Sequence, residues 1–362
     1  MASAGLINTL PPLGPRAIRL GPRGSTPFPL AEPDLTLFDW GRASLHAGLS
    51  AIGLGTGDEV LAPAYHHGSE IEAIARTGAS VRFYAGTEDL APDEAELEGL
   101  LGPRVRALHV THYLGFPQQA AHWRSWCDAR GLALIEDAAQ AWLGSDGGRP
   151  LGSFGDVSMF CLYKMAPVPN GGALVSRQAA VAPPPGVAGV ARAAKQAALW
   201  PAQRSAALGR LADRGRGGGE FDAAKAMELS PPAGPARVTA ALLPRLDYDR
   251  IRDRRRSNYA HLLERLGALV PRPFDRLAHG VVPWLFPVSV RDKAGLLAHL
   301  EREGILATDF WSAGHRLLDG DAAAMTSHRR AHTVAVPVHQ ELREAELERI
   351  AAAVSGCAAE RA

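Results

Sequence analysis

Residues 131–176, GLALIEDAAQAWLGSDGGRPLGSFGDVSMFCLYKMAPVPNGGALVS, restrict the fold more than any other part of this 362-residue chain. The run Leu132-Ala133-Leu134-Ile135 is short, apolar and bounded by polar residues, the pattern of a strand covered on both faces of a parallel sheet. It ends on two acids, Glu136 and Asp137, followed by small residues and Gln140. In open α/β sheets ligands lie beyond the carboxyl ends of the strands, so an acid there points into a site. A second apolar run, 157–162, leads to Lys164, one of four lysines in an arginine-rich chain. Asn170-Gly171-Gly172 then turns into a third run, Ala173-Leu174-Val175.

An acid at one strand end, a lysine after a later strand and a Gly-Gly turn suggest pyridoxal phosphate chemistry. That cofactor needs a lysine amine for its Schiff base. It also needs a carboxylate against the pyridine nitrogen, which keeps the ring protonated as an electron sink. The succession IEDAAQA, G-x-x-G-D-V from Gly152, Phe160-x-x-x-Lys164 and GGALV resembles the DegT/DnrJ/StrS family of pyridoxal-phosphate-dependent sugar aminotransferases. The resemblance implies an α/β protein of fold type I, with a large, mainly parallel sheet flanked by helices and a small C-terminal α+β domain. It implies Lys164 as the Schiff-base lysine and Asp137 as the partner of the pyridine nitrogen. Gln140, one helical turn beyond Asp137, is placed to donate to the ring hydroxyl.

Other segments fall in the same order. Gly41 opens a small-residue helical pattern whose free N–H groups can hold a phosphate. In the resembling family a Gly-Thr-x-Ala-Leu segment binds the cofactor phosphate there. Here Arg42 replaces the threonine, a change that spares backbone contacts and removes a hydroxyl. Residues 55–84 read as turn, strand, helix and strand, the grammar of a right-handed parallel crossover. His67 aligns with the aromatic that lies over the pyridine ring in relatives, with His66 and Tyr65 as neighbouring alternatives. Cys161 stands where relatives carry a phosphate-binding serine. The short Asp156–Lys164 spacing and the Lys-x-x-Pro-x-Pro-x-Gly-Gly loop place the chain in a divergent branch.

The sequence divides into an arm (1–35) rich in Pro and Gly, a cofactor-binding domain (36–245) and a C-terminal domain (246–362). A variable, partly flexible insert (177–236) interrupts the second of these. Within it a helical piece, 190–214, should break at Pro201. The family's Gly-x-Asn-x-Arg phosphate segment is missing, with Ser230 and Arg237 nearby. Residues 238–266 carry an amphipathic pattern that Pro244 should kink or split. The cluster Arg252-Asp253-Arg254-Arg255-Arg256 reads as a solvated face. Beyond it come a strand (281–290), a helix (294–303) stopped by Gly304, a strand from Ile305, a strand (333–338) and a helix (341–354). Trp311, Ser312, His315 and His339 fall where relatives line the substrate mouth, with core or surface roles as the alternative.

A net charge of +1 gives no electrostatic case for a nucleic-acid or membrane partner. Three cysteines lack metal-ligand spacing, so no metal is expected, and no apolar run reaches the ~18 residues of a membrane span. The opening residues lack a compact signal-peptide core, which points to the cytoplasm. The function that the resemblance implies is transfer of an amine from an amino acid, glutamate, to a keto sugar linked to a nucleotide. It would proceed by a ping-pong cycle at a homodimer interface, for polysaccharide or natural-product biosynthesis. Two alternatives stand beside it: a degenerate, regulatory cofactor-binding member, and a sugar dehydratase, in which the lysine is replaced by histidine.

Overall fold

A computed structural model of the chain describes residues 5–18, 25–214 and 229–359. Seven runs form one sheet: β1 (Leu35–Phe38), β2 (Glu59–Pro63), β3 (Ser80–Tyr84), β4 (Val105–Thr111), β5 (Ala133–Asp137), β6 (Val157–Cys161) and β7 (Gly172–Ser176). Their order is β1-β7-β6-β5-β4-β2-β3. The pairs β6–β5, β5–β4, β4–β2 and β2–β3 are parallel, whereas β7 runs antiparallel between β6 and β1. Every residue of β2 and β6 is buried, which explains why these strands read as continuous apolar runs rather than alternating ones.

Helices cover both faces. On one lie α1 (Gly41–Ala51) and α2 (Ser69–Ala75), whose Leu45, Leu49, Ile71 and Ile74 pack on Val60, Ile135 and Val157. The approach is close: a Cβ on Gly48 would stand 2.6 Å from the Val157 side chain. On the other lie α3 (Glu94–Leu100) and α4 (Ala120–Asp128), whose Leu97, Trp123 and Trp126 pack on Leu61, Leu108 and Leu134. Helix α3 starts at Glu94, where the Asp93 side chain caps the Glu96 N–H. Asp156 of the G-x-x-G-D-V motif accepts the Leu134 N–H at 2.8 Å and pairs with Arg124, tying the start of β5 to the start of β6.

A single turn, α5 (Leu162–Met165), follows β6 and carries Lys164. The described part of the 177–236 insert contains α6 (Val190–Arg204) and α7 (Ala206–Arg214). The helix runs through Pro201 and breaks at Ser205 instead. The Gly-rich GRGGGE run lies outside the described residues. Pro244 does split the next pattern, into α8 (Arg237–Leu242), a 3-10 turn (Leu243–Arg245) and α9 (Tyr248–Leu266), which Asp247 caps.

The C-terminal part is a three-stranded antiparallel sheet, with β10 (Thr333–Pro337) between β8 (Leu285–Ser289) and β9 (Thr308–Asp309). The expected strand 281–290 starts four residues late; Val281 and Val282 instead bury in the core, with Gly115 pressed against the Val282 carbonyl. Ile305 pairs with Ile7 of the arm, not with β10, so only two residues of β9 join the sheet. Helix α10 (Lys293–Arg302) ends before Gly304 (φ 68°), and α12 (Glu344–Ala359) packs against it and α9. Helix α11 (Gly320–His332) has no counterpart in the sequence reading, because its sequence lacks an apolar stripe: only Thr326 and Arg330 are buried on it. The described arm is packed, with Leu6 and Ile7 buried and the Leu6 N–H bonded to Ala202.

Candidate active site

The carboxyl ends of the parallel strands β2, β4, β5 and β6 lie on one edge of the sheet, where the end of β6 at Cys161 meets the start of α1 at Gly41. Lys164 is half-buried, its Nζ 4.4 Å from the centre of the Trp284 ring, and it forms no ion pair with a carboxylate among the described residues. Its charge pulls downward on Asp137, His67 and Cys161, although burial leaves Asp137 and Cys161 raised overall.

The turn that carries Lys164 is clamped from behind. Arg255, fully buried on α9, donates to the backbone oxygens of Lys164 (3.1 Å), Met165 (3.4 Å), Pro283 (3.1 Å) and Trp284 (3.0 Å), and to Gln340 Oε1 (3.0 Å). One guanidinium thus fixes both the lysine turn and the residue whose ring meets the lysine amine. Burial pushes Arg255 down to about 9. This corrects the reading of 252–256 as a solvated face: Arg254 and Arg256 also reach backbone carbonyls, of Leu342 and Val281.

Asp137 is buried at the end of β5, with Oδ1 accepting the Ala139 N–H at 2.8 Å. Burial, then the Glu70 charge, push its carboxyl up to about 7, against the pull of the Ala139 N–H, Lys164 and His112. Glu70 goes the other way. Burial works against its charge, yet His67, His66 and its own backbone hold it down at about 2, and its oxygens accept the N–H groups of His67 and Gly68.

The Asp137 shift has a stability consequence. Its folded value lies above the ordinary 3.8, so its contribution is present below pH 3.8 and is lost as pH rises through about 7. Asp137→Asn removes that loss. The cofactor-free variant is expected to melt higher than wild type at pH 8 and level with it at pH 3.5; an equal gain at both pH values would refute the assignment.

His67 meets Trp311 edge-on at 5.9 Å, and Trp311 (φ 65°) packs on Tyr65, Tyr113 and Phe310. Burial and the Lys164 and Arg42 charges lower His67, against Glu70. Gly41 opens α1 without a side-chain cap, and Cys161 Sγ lies so close to it that no Cβ would fit. Burial raises the Cys161 thiol. Arg42 follows in the first turn, near the Trp40 ring at 5.9 Å. Gln140 receives the Leu114 N–H on Oε1 at 3.0 Å, which leaves its NH2 as the donor.

Two other candidates are occupied elsewhere. His66 stacks on Phe83, with Nδ1 on the Pro63 carbonyl (2.9 Å) and Nε2 accepting the His315 N–H (2.9 Å). His339 is fully buried near Arg255, lowered to about 3 by burial and that charge, and its Nδ1 accepts the Glu341 N–H. His315 pairs with Glu72 and Ser312 with Asp309, so neither is presented to the lysine cluster; Arg237 is exposed on α8. Glu136, beside Asp137, is fully buried and structural: it accepts from Gly152, Phe154, Gly155 and His112. Among the described residues no group of His, Cys, Asp or Glu is arranged to hold a metal, and no helix is long and apolar enough to cross a membrane.

Residues 39–183 match the model of the DegT/DnrJ/EryC1/StrS aminotransferase family. The chain is 32% identical over 132 residues to a GDP-perosamine synthase of Vibrio cholerae, covering 36% of each protein. It is 35% identical over 149 residues to an L-glutamine:2-deoxy-scyllo-inosose aminotransferase of Streptoalloteichus tenebrarius, covering 39% of this chain and 34% of the relative. The matched stretches therefore span about a third of these relatives' lengths. Among solved structures, NtdA of Bacillus subtilis with bound cofactor PMP superposes with a TM-score of 0.63 at 18% identity, over 90% of this chain and 73% of that one. The likeness shows the fold, a mixed α/β architecture shared with fold type I aminotransferases.

Proposed function

We propose that this chain, whose residues 39–183 form a DegT/DnrJ/EryC1/StrS aminotransferase family domain, is a pyridoxal-phosphate-dependent aminotransferase that moves an amine from an amino acid to a keto sugar. The observation that carries the reading is a placement: Asp137 is buried at the end of β5 with one hydrogen bond, and Lys164 sits in the turn that follows the adjacent parallel strand β6, its amine over the Trp284 ring. A buried carboxyl with one hydrogen bond suits a cationic N–H partner, and the residues around it fit the cofactor. Gly41 offers uncapped backbone at a helix start, Gln140 offers amide N–H groups, and His67 offers a ring face.

Bound pyridoxal phosphate supplies an electron sink for the bond broken at the substrate α-carbon. The chain's own residues do the rest. Asp137 would hold the ring nitrogen and Gln140 the ring hydroxyl. His67 would cover one face, while Gly41, Arg42 and Cys161 would surround the phosphate. Lys164 Nζ would hold and move the proton at the substrate α-carbon. The packed ring of Tyr65, Tyr113, Phe310 and Trp311 closes one side against water.

The reading takes 1–35 as an arm, 36–245 as the cofactor-binding domain and 246–362 as the small domain, in a cytoplasmic homodimer. A nucleotide-linked keto sugar is the proposed acceptor, in keeping with the GDP-perosamine synthase relative. Glutamate is the proposed donor, with glutamine as the second to try because one relative is named for it. The test is the absorption spectrum of the purified chain with pyridoxal phosphate, before and after each donor. A visible band that bleaches with glutamate is expected. A band indifferent to every amino acid would favour a non-catalytic cofactor binder, and no band would overturn the reading.

A further inference from the structure

Among the described residues His109 is an imidazole whose placement hydrogen bonding does not explain. It lies on β4, wholly buried, and neither ring nitrogen finds a hydrogen-bond partner among the described residues. Burying a polar ring unpaired costs stability that an apolar residue of similar shape would not lose. Strand β4 is otherwise apolar around it, as Ala107, Leu108 and Val110 show, so packing alone favours leucine. Costs of this kind persist where a site uses the group.

The register says what it faces. His109 pairs across to Ile135 and Thr111 to Asp137, so His109, Thr111 and Asp137 share one face at the carboxyl ends of β4 and β5. His109 Nε2 stands 3.8 Å from Asp137 Oδ2, beyond a hydrogen bond and within the reach of a small rotation. Thr111 Oγ1 is likewise buried without a partner. Asp137 Oδ1 on this face is engaged by the Ala139 N–H, whereas both His109 nitrogens and Thr111 Oγ1 have no partner among the described residues. The charged groups bearing on His109 are Asp137 from β5 and Glu70 from α2.

We propose that His109 is the positioning residue of Asp137: its Nε2–H closes onto Oδ2 when the cofactor's ring nitrogen engages the carboxylate, fixing the charge and angle of that acid. The inference rests on the pyridoxal phosphate reading and adds to it a residue outside the cofactor's own contacts. Burial lowers His109 to about 4, so the ring is neutral at neutral pH and one nitrogen carries a proton to donate. A neutral donor sustains the Asp137 anion without offering a competing cation.

The test compares wild type, His109→Leu, His109→Asn and Lys164→Ala. Melting of the cofactor-free proteins and pyridoxal phosphate affinity by band titration are read between pH 6 and 8.5. His109→Leu is expected to melt at or above wild type yet bind the cofactor about tenfold more weakly, the strength of one hydrogen bond to a charged group. Its deficit should widen toward pH 6, where the unsupported Asp137 protonates, and His109→Asn should recover part of it. Unchanged affinity and pH profile in His109→Leu overturns the proposal while the wild-type band keeps the function. A His109→Leu protein that melts lower by as much as it loses cofactor affinity, unrescued by asparagine, makes the residue structural and also overturns it. No wild-type band removes both.

Discussion

Lys164→Ala is expected to lose turnover by at least about 10³-fold while the protein keeps its fold. The loss follows from the absence of a substitute: the other lysine nearest in sequence, Lys195, is exposed on α6, and the groups placed around Asp137 (Glu70, Thr111, Gln140, imidazoles and a thiol) include no other amine. An amine that both binds the cofactor and carries a proton contributes on the scale of general acid–base and nucleophilic catalysis together. The retained fold follows from where the turn is held. The Leu162 N–H bonds to the Gly171 carbonyl, and the carbonyls of Lys164 and Met165 are gripped by Arg255, all through backbone that alanine keeps. The side chain forfeits one cation–π contact with Trp284, about 0.5–1 kcal/mol. Steady-state rates with donor and keto sugar, beside a thermal melt and Lys195→Ala as control, check both halves. Residual turnover near wild type would remove the lysine from its role; an unfolded variant would refute the account of the turn.

The division between what the sequence disclosed and what it hid follows the range of the interactions. Strands β5 to β7 are visible because a strand buried on both faces must be an apolar run, and the acid and lysine at their ends break that run in view. The helix start at Gly41 and the split at Pro244 are equally local. The roles of Glu136 and Arg255 are not, since each is defined by backbone 16 to 91 residues away. A local signal for Arg255 did exist: it shares the buried stripe of α9 with Ile251, Tyr259, Leu262 and Leu266, one turn from two of them. The arginine run around it hid that stripe. His109 had a weaker signal, a lone imidazole inside an apolar strand, and only the register with β5 shows which acid it faces.

Glu136 should give the largest stability loss of any single change near the site. Its two oxygens accept N–H groups from Gly152 (2.5 Å), Phe154 (2.8 Å) and Gly155 (3.0 Å), and Oε1 also meets His112 Nε2 at 2.9 Å. His112 in turn receives the Gln118 N–H, so one carboxylate holds the 152–155 loop, the end of β4 and the approach to α4. Glu136→Ala leaves at least two buried backbone donors unpaired, each costing about 1–3 kcal/mol, for an expected loss of roughly 3–5 kcal/mol. Set against the 5–15 kcal/mol that holds a typical domain, that is a large share. Glutamine is a poor rescue, because its NH2 would face the N–H groups that the second oxygen now accepts. Chemical denaturation of Glu136→Ala and Glu136→Gln reads the cost directly, and a wild-type midpoint in either would refute the network. The damage should also reach the chemistry. Gly152 takes φ +86° with the Phe160 ring where a Cβ would sit, so a loop that shifts displaces Phe160 and the strand that ends at Cys161 and the Lys164 turn. Glu136→Gln is therefore expected to weaken cofactor binding without touching the cofactor, and the acid beside Asp137 serves the site by holding the wall that β6 is built on.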